Sequence, residues 1–240
     1  MIGLGTIINA GAIILAGVLG MLFGKVLKEG MQKTLMTATG LCVLFIGIGG
    51  ALEEMLSISE GKLSSGGSMM MIGCFVAGTL LGEWLDIERR MEQFGAWLKV
   101  KTKSEGDSSF IEGFVTASLT VCIGAMAVVG AIQDGISGDY SLLAAKAVLD
   151  FIIIFIMTSS LGKGCLFAAI PVALFQGAFT LLARLIEPLM TKQALSNLSL
   201  TGSMLIFCVG VNLIWGKRIK VANMLPTIVF AVVWVFLPIQ

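Results

Sequence analysis

The sequence predicts an all-α, polytopic membrane protein of about eight transmembrane helices, and three observations carry that prediction. Of its 240 residues 57% are hydrophobic and only 13% charged, a balance far from that of soluble domains. Mean hydropathy is +0.97. The apolar residues are gathered into runs of about 20, the length one helix needs to cross a bilayer. Residues 1–240 read as a single integral membrane domain with no soluble catalytic module.

The first run, Gly3 to Phe23, lacks a basic leader and passes straight into another membrane pair, so it reads as a retained helix rather than a cleaved signal. Thr37 to Leu56 and Ser68 to Leu85 are the second and third runs. The linker "GEWLDIERRMEQFGAWLKVKTK" then places Trp84, Ile87, Met91, Phe94 and Leu98 near one helical face, with Glu88, Arg89, Glu92 and Lys99 elsewhere. This predicts an amphipathic helix in the membrane interface, serving as a surface connector or as a partner-binding element. Phe110 to Ala131 is the fourth span, and Leu142 to Leu161 and Cys165 to Leu185 are the fifth and sixth, folded into a hairpin by the turn "SSLGKG". That turn is too short for a phosphate-binding loop and lacks its following Ser or Thr. Leu198 to Trp215 and Val221 to Leu237 complete the set, and Pro171 and Pro226 are expected to interrupt spans six and eight.

Orientation follows from the basic residues, which resist translocation. Lys25, Lys28, Lys33, Arg89, Arg90, Lys99, Lys101, Lys103, Lys163, Lys217, Arg218 and Lys220 all fall on alternate connections, against four on the other side. Both termini are therefore expected outside the cytoplasm. A net charge of +1, with the basic residues on membrane-flanking connections, excludes nucleic acid as a partner and leaves the lipid bilayer. Cys42, Cys74, Cys122, Cys165 and Cys208 lie within apolar runs without C-x-x-C spacing and read as reduced packing residues. There is no histidine, which removes the commonest zinc ligand and the usual general base. No cofactor, metal or catalytic residue is expected, and an intramembrane enzyme is the weakest reading.

Weak self-similarity points to an inverted repeat of spans three to five against six to eight, because a displacement of three crossings reverses direction. "GAIQDG" then corresponds loosely to "GVNLIWG", and Gln133 to Asn212.

The richest stretch is "GFVTASLTVCIGAMAVVGAIQDG". Thr116 and Thr120 share one helical face, Ser118 and Cys122 lie roughly opposite, and small residues recur at spacings of three and four, so neighbouring helices must pack on several sides. The hydroxyls either bond back to their own helix or line a solute path. Gln133-Asp134-Gly135 ends the stretch, with Gly135 expected to stop the helix and leave an amide and a carboxylate at its outer mouth. In span five Lys146 and Asp150 are one turn apart. An ionised Asp in the membrane costs about 3 kcal/mol, so the two either neutralise each other or form an ion site. Gln176, Asn212, Asn9, Thr6 and Asn223 are the other polar residues inside apolar runs.

The same stretch, with "GTIINAGAIILAGVLG", "LLAAKAVLD", "GKGCLFAAIPV" and "NLIWGKRIKVANMLP", resembles the YqgA/YdfK-like family of bacterial inner-membrane proteins from end to end. The resemblance implies a multi-pass protein of the cell inner membrane. That family has no defined function and no catalytic residues to carry over, though some members are described as transport proteins.

The leading expectation is a transporter or facilitator for a small solute or ion. Its pathway residues would be Thr116, Ser118, Thr120, Gln133, Asp134, Lys146, Asp150, Gln176 and Asn212, with Asp150 as the coupling site. The alternative is a scaffold or sensor that forms homo-oligomers through its Gly-rich helix faces.

Overall fold

A computed structural model describes residues 1–59 and 62–237, and the fold is a bundle of helices with one small hairpin. In chain order the helices are α1 (Leu4–Gly24), α2 (Glu29–Met55), α3 (Ser68–Leu85), α4 (Ile87–Lys101), α5 (Phe110–Cys122), α6 (Ala125–Ser137), α7 (Ser141–Leu161), α8 (Ala169–Leu181), α9 (Ala183–Ile186), α10 (Lys192–Trp215) and α11 (Thr227–Trp234). Strands β1 (Leu56–Ser59) and β2 (Lys62–Ser65) pair antiparallel between α2 and α3, an element the apolar pattern does not foretell.

Among the described residues six helical segments are long and apolar enough to cross a membrane. The α5–α6 pair, bent by 62°, makes a seventh, and the apolar segment Val221–Trp234 is shorter. Their outward faces carry exposed Ile7, Ile14, Leu15, Leu22, Phe45, Ile72, Leu80 and Ile152, as expected of surfaces that meet lipid tails rather than water.

The buried faces of the long helices are built on glycine. In α1 the residues Gly5, Asn9, Ile13, Ala16, Gly17 and Gly20 are buried at spacings of three and four. They lie parallel to α7, so close that a Cβ on Gly20 would come within 2.6 Å of the Phe155 carbonyl. Antiparallel contacts hold α2 to α10, where Gly47 meets Phe207 and Ser203, and α3 to α11, where Gly73 meets Trp234 and Gly78 meets Thr227. Small residues let backbones approach where no hydrophobic force drives helices together. The Gly-rich faces expected to make oligomers are thus largely used within the chain.

The fourth span departs from the expected continuous helix. Ile123 takes an extended conformation and Gly124 lies at φ 142°, ψ 150°, a combination essentially reserved for glycine. The chain resumes as α6, which runs past Gly135 to a left-handed Gly138. Gly135 does not stop the helix: it is an interior residue whose missing Cβ lets the Thr180 backbone approach. The prolines do not break spans either. Pro171 is in the first turn of α8 and Pro226 directly precedes α11, each after a 3-10 turn, where a missing N–H costs no helical hydrogen bond. The proposed correspondence of spans four and seven is not reflected locally, since α10 is continuous where α5–α6 is broken.

The amphipathic linker forms α4, with Leu98 and Gly95 buried, but left-handed Asp86 turns the chain before it, so Trp84 belongs to α3. Glu88, expected on the polar face, is buried. Its backbone N–H donates to Asn223 Oδ1 at 2.7 Å and its Oε2 accepts from Ala222 N at 3.0 Å. These reciprocal bonds fasten the start of α4 to the turn Val221–Met224.

Candidate functional site

Three polar assemblies lie along the broken span, and each takes its shape from local backbone. The deepest forms at the break. A helix end leaves its last carbonyls without intrahelical partners, and ending α5 mid-span creates such an end inside the bundle. The Lys146 ammonium donates to the Val121 carbonyl at 2.8 Å and to both oxygens of Asp150, at 2.7 and 2.6 Å. Asn9 Nδ2 donates to Asp150 Oδ2 at 3.0 Å, bringing α1 to the same point. Lys146 and Asp150 are 6% and 3% exposed, and the fully buried Asn9 keeps its Oδ1 without a partner among the described residues. Helix α10 passes alongside with no side chain at Gly202, where an added Cβ would lie 3.7 Å from Gly124 Cα.

Near the C-terminal end of α6, Asp134 is fully buried and accepts from the backbone N–H groups of Gly3 and Gly5, at 3.2 and 3.0 Å. It caps α1 and faces that helix's positive dipole end. The expectation that Asp134 stands at an open mouth is therefore corrected: its oxygens are committed to α1. Gln133, its neighbour, is exposed, and among the described residues its side chain makes no hydrogen bond to Asp150 or Asn212.

The third assembly is a cavity of about 420 Å³ lined by Glu88 and Glu92 of α4, Glu112, Thr116 and Leu119 of α5, Asn212 of α10 and Lys217. An adjoining cavity of about 250 Å³ shares Glu112, Thr116 and Asn212 and adds Lys33. Lys217 bridges Glu88 at 2.9 Å and also Glu92. Partial burial pulls its ammonium down, but hydrogen bonds and charge from Glu92 and Glu88 outweigh that and hold it above the ordinary lysine range. Asn212 accepts from the N–H groups of Arg218 and Ile219, both at 2.9 Å, and donates to the Ile219 carbonyl at 2.7 Å. It shapes the turn at the cavity's edge.

Of the three hydroxyls expected on the path in α5, Thr116 lines both of these cavities. Ser118 bonds back to the Phe114 carbonyl at 2.6 Å and Thr120 to the Thr116 carbonyl at 2.7 Å, the structural alternative for both. Gln176 is 1% exposed, and among the described residues neither its amide atoms nor the hydroxyl of Thr180, one turn later, has a partner. Asn9's link to Asp150 escapes sequence reasoning because the two are 141 positions apart. Glu88, Glu92 and Lys217 read as surface charges on connections. For Glu112 a signal exists, since it precedes Thr116 by one turn and so shares its face.

Residues 4–236 match a family model described as "Protein of unknown function (DUF554)". The chain is similar to the Uncharacterized membrane protein YdfK of Bacillus subtilis (strain 168), 28% identical over 97% of this chain and 95% of that protein. It is similar also to the Uncharacterized protein YqgA of Escherichia coli (strain K12), 30% identical over 95% of this chain and 94% of that one. No solved structure matches. With nearly its whole length matched and both relatives covered almost end to end, this membrane protein belongs to the DUF554 family.

Proposed function

We propose that this protein moves a small solute or ion across the bacterial inner membrane, along a route joining the Glu112–Thr116 cavities to the break between α5 and α6. The observation that carries the reading is the Lys146–Asp150 pair held against the Val121 carbonyl at that break. Irregular backbone at membrane depth is tolerated where protein or a cavity satisfies it, and broken helices with embedded ionisable residues are how transporters build solute sites. A pair needed only for neutrality requires no helix end beside it.

The charge pattern supports an orientation with both termini outside. Lys25, Asp107 and Lys163 share one cavity and Lys33, Glu112 and Asn212 another, gathering alternate connections at one end of the bundle. Under the positive-inside rule that end faces the cytoplasm.

Reconstituted protein should give solute-dependent currents or pH changes in proteoliposomes, and Asp150→Asn should abolish them. Transport unchanged in Asp150→Asn would remove Asp150 from the coupling role.

A further inference from the structure

We infer that Asp150, Asn9 and the Val121 carbonyl form a binding site for a small monovalent cation, with the Lys146 ammonium as its resident occupant. The inference rests on the transport reading above and names what is carried. The ammonium sits 2.6 to 2.8 Å from three oxygens, two of a carboxylate and one of a backbone carbonyl. Such a hard, all-oxygen set suits alkali ions and ammonium rather than soft metals.

A second observation points the same way independently of the ion pair. Asn9 is 0% exposed, its Nδ2 touches Asp150 Oδ2, and its Oδ1 has no partner among the described residues. A buried acceptor is seldom left unsatisfied, because its lost hydration is not repaid. Nδ2 is the arm of the amide that faces the carboxylate, so turning the amide over offers a cation on Asp150 a further oxygen ligand. Lys146 cannot satisfy it while bonded to Asp150 and Val121.

Charge selects the valence. One carboxylate balances one positive charge, and a divalent ion here would leave a net charge in a low-dielectric interior, which is costly. The end of α5 adds only the partial negative charge of a helix C-terminus. Toward the basic end of the bundle, three carboxylates, Glu88, Glu92 and Glu112, face the single ammonium of Lys217 in one cavity, a field that concentrates cations at the entry. Lys146 hangs on an unbranched stem, so it can leave as a cation arrives, and that exchange keeps the charge of the site constant.

The test uses Lys146→Met of the full chain, purified in N-methyl-D-glucamine chloride. Thermal unfolding is followed as Na⁺, K⁺ or NH₄⁺ replaces the glucamine at constant ionic strength. The expected result is a saturable, ion-specific rise in Tm that is much smaller in the native protein and absent from Lys146→Met/Asp150→Asn. Lys146→Met/Asn9→Leu should need about tenfold more ion, the scale of one lost contact at a metal site. A response to NH₄⁺ alone narrows the occupant to ammonium. If Lys146→Met does not fold without alkali ions, its yield in Na⁺ or K⁺ against glucamine is the same readout, and Lys146→Gln is the second variant. Identical curves in every cation would overturn the inference. Ion-specific stabilisation without proteoliposome currents would leave the cation site standing and defeat the transport reading; currents without stabilisation would do the reverse.

Discussion

Asp134 and Asp150 are both carboxylates withdrawn from solvent, 0% and 3% exposed, yet their partners differ in kind. Asp134 is held by two backbone N–H groups at the start of α1, donors that cannot leave unless the helix end moves. Asp150 is held by the side chains of Lys146 and Asn9, which can rotate away. Burial alone therefore does not mark a functional carboxylate in a membrane. The distinction lies in whether its partners can exchange, and only Asp150 has exchangeable partners beside a helix break.

The two aspartates should differ most at the Lys146–Asp150 pair itself. Asp150→Leu, which strands the Lys146 charge, should lose about 3–5 kcal/mol in thermal unfolding in detergent, whereas Lys146→Met/Asp150→Leu should recover most of it, because apolar replacement of both partners is often neutral. If the single variant is as stable as the double, the pair is not buried as described. Gly124→Ala comes next. Its φ of 142° strains any residue with a Cβ, so a loss of about 1–3 kcal/mol is expected, together with loss of currents if the Val121 carbonyl is displaced.

Asp134→Asn should cost about 1–2 kcal/mol, the scale of a helix cap with its charge–dipole contribution, and should leave any cation specificity of the protein unchanged. A changed ion preference would erase the difference between the two aspartates. The smallest effect concerns Lys217, half-exposed at 48%. Its pKa is raised in the folded state, so the link from the α10–α11 turn to α4 is fully present below the ordinary lysine value of about 10.4 and is lost as pH rises through the higher folded value. Limited proteolysis of α4 should accelerate only in that alkaline window.

The hydropathy pattern made most of the spans legible, along with the interfacial helix and the Lys146–Asp150 pair, because all three depend on spacing within one segment. The break at Gly124 was not legible. It sits in an unbroken apolar run whose other glycines, such as Gly113 and Gly130, stay helical, and it is revealed only by what packs around it. Pro171 and Pro226 misdirected the expectation, since proline's effect depends on its place in the helix and both stand at helix starts. Asp134 was misread for a third reason: its ligands, Gly3 and Gly5, lie 131 and 129 positions away. Spacing reveals contacts within a helix but not the contacts between segments that decide whether a polar residue is a cap or a site.

The Lys146–Asp150 pair at the helix break either carries function or merely neutralises two charges, and its exchangeable partners favour function. The two are separated by the current evoked in proteoliposomes by steps of Na⁺, K⁺ and NH₄⁺, compared between the native protein and a folded, stable Lys146→Met/Asp150→Leu variant. Currents for at least one of these ions are expected in the native protein and none in the variant; equal currents from the two would show that the pair is dispensable for transport.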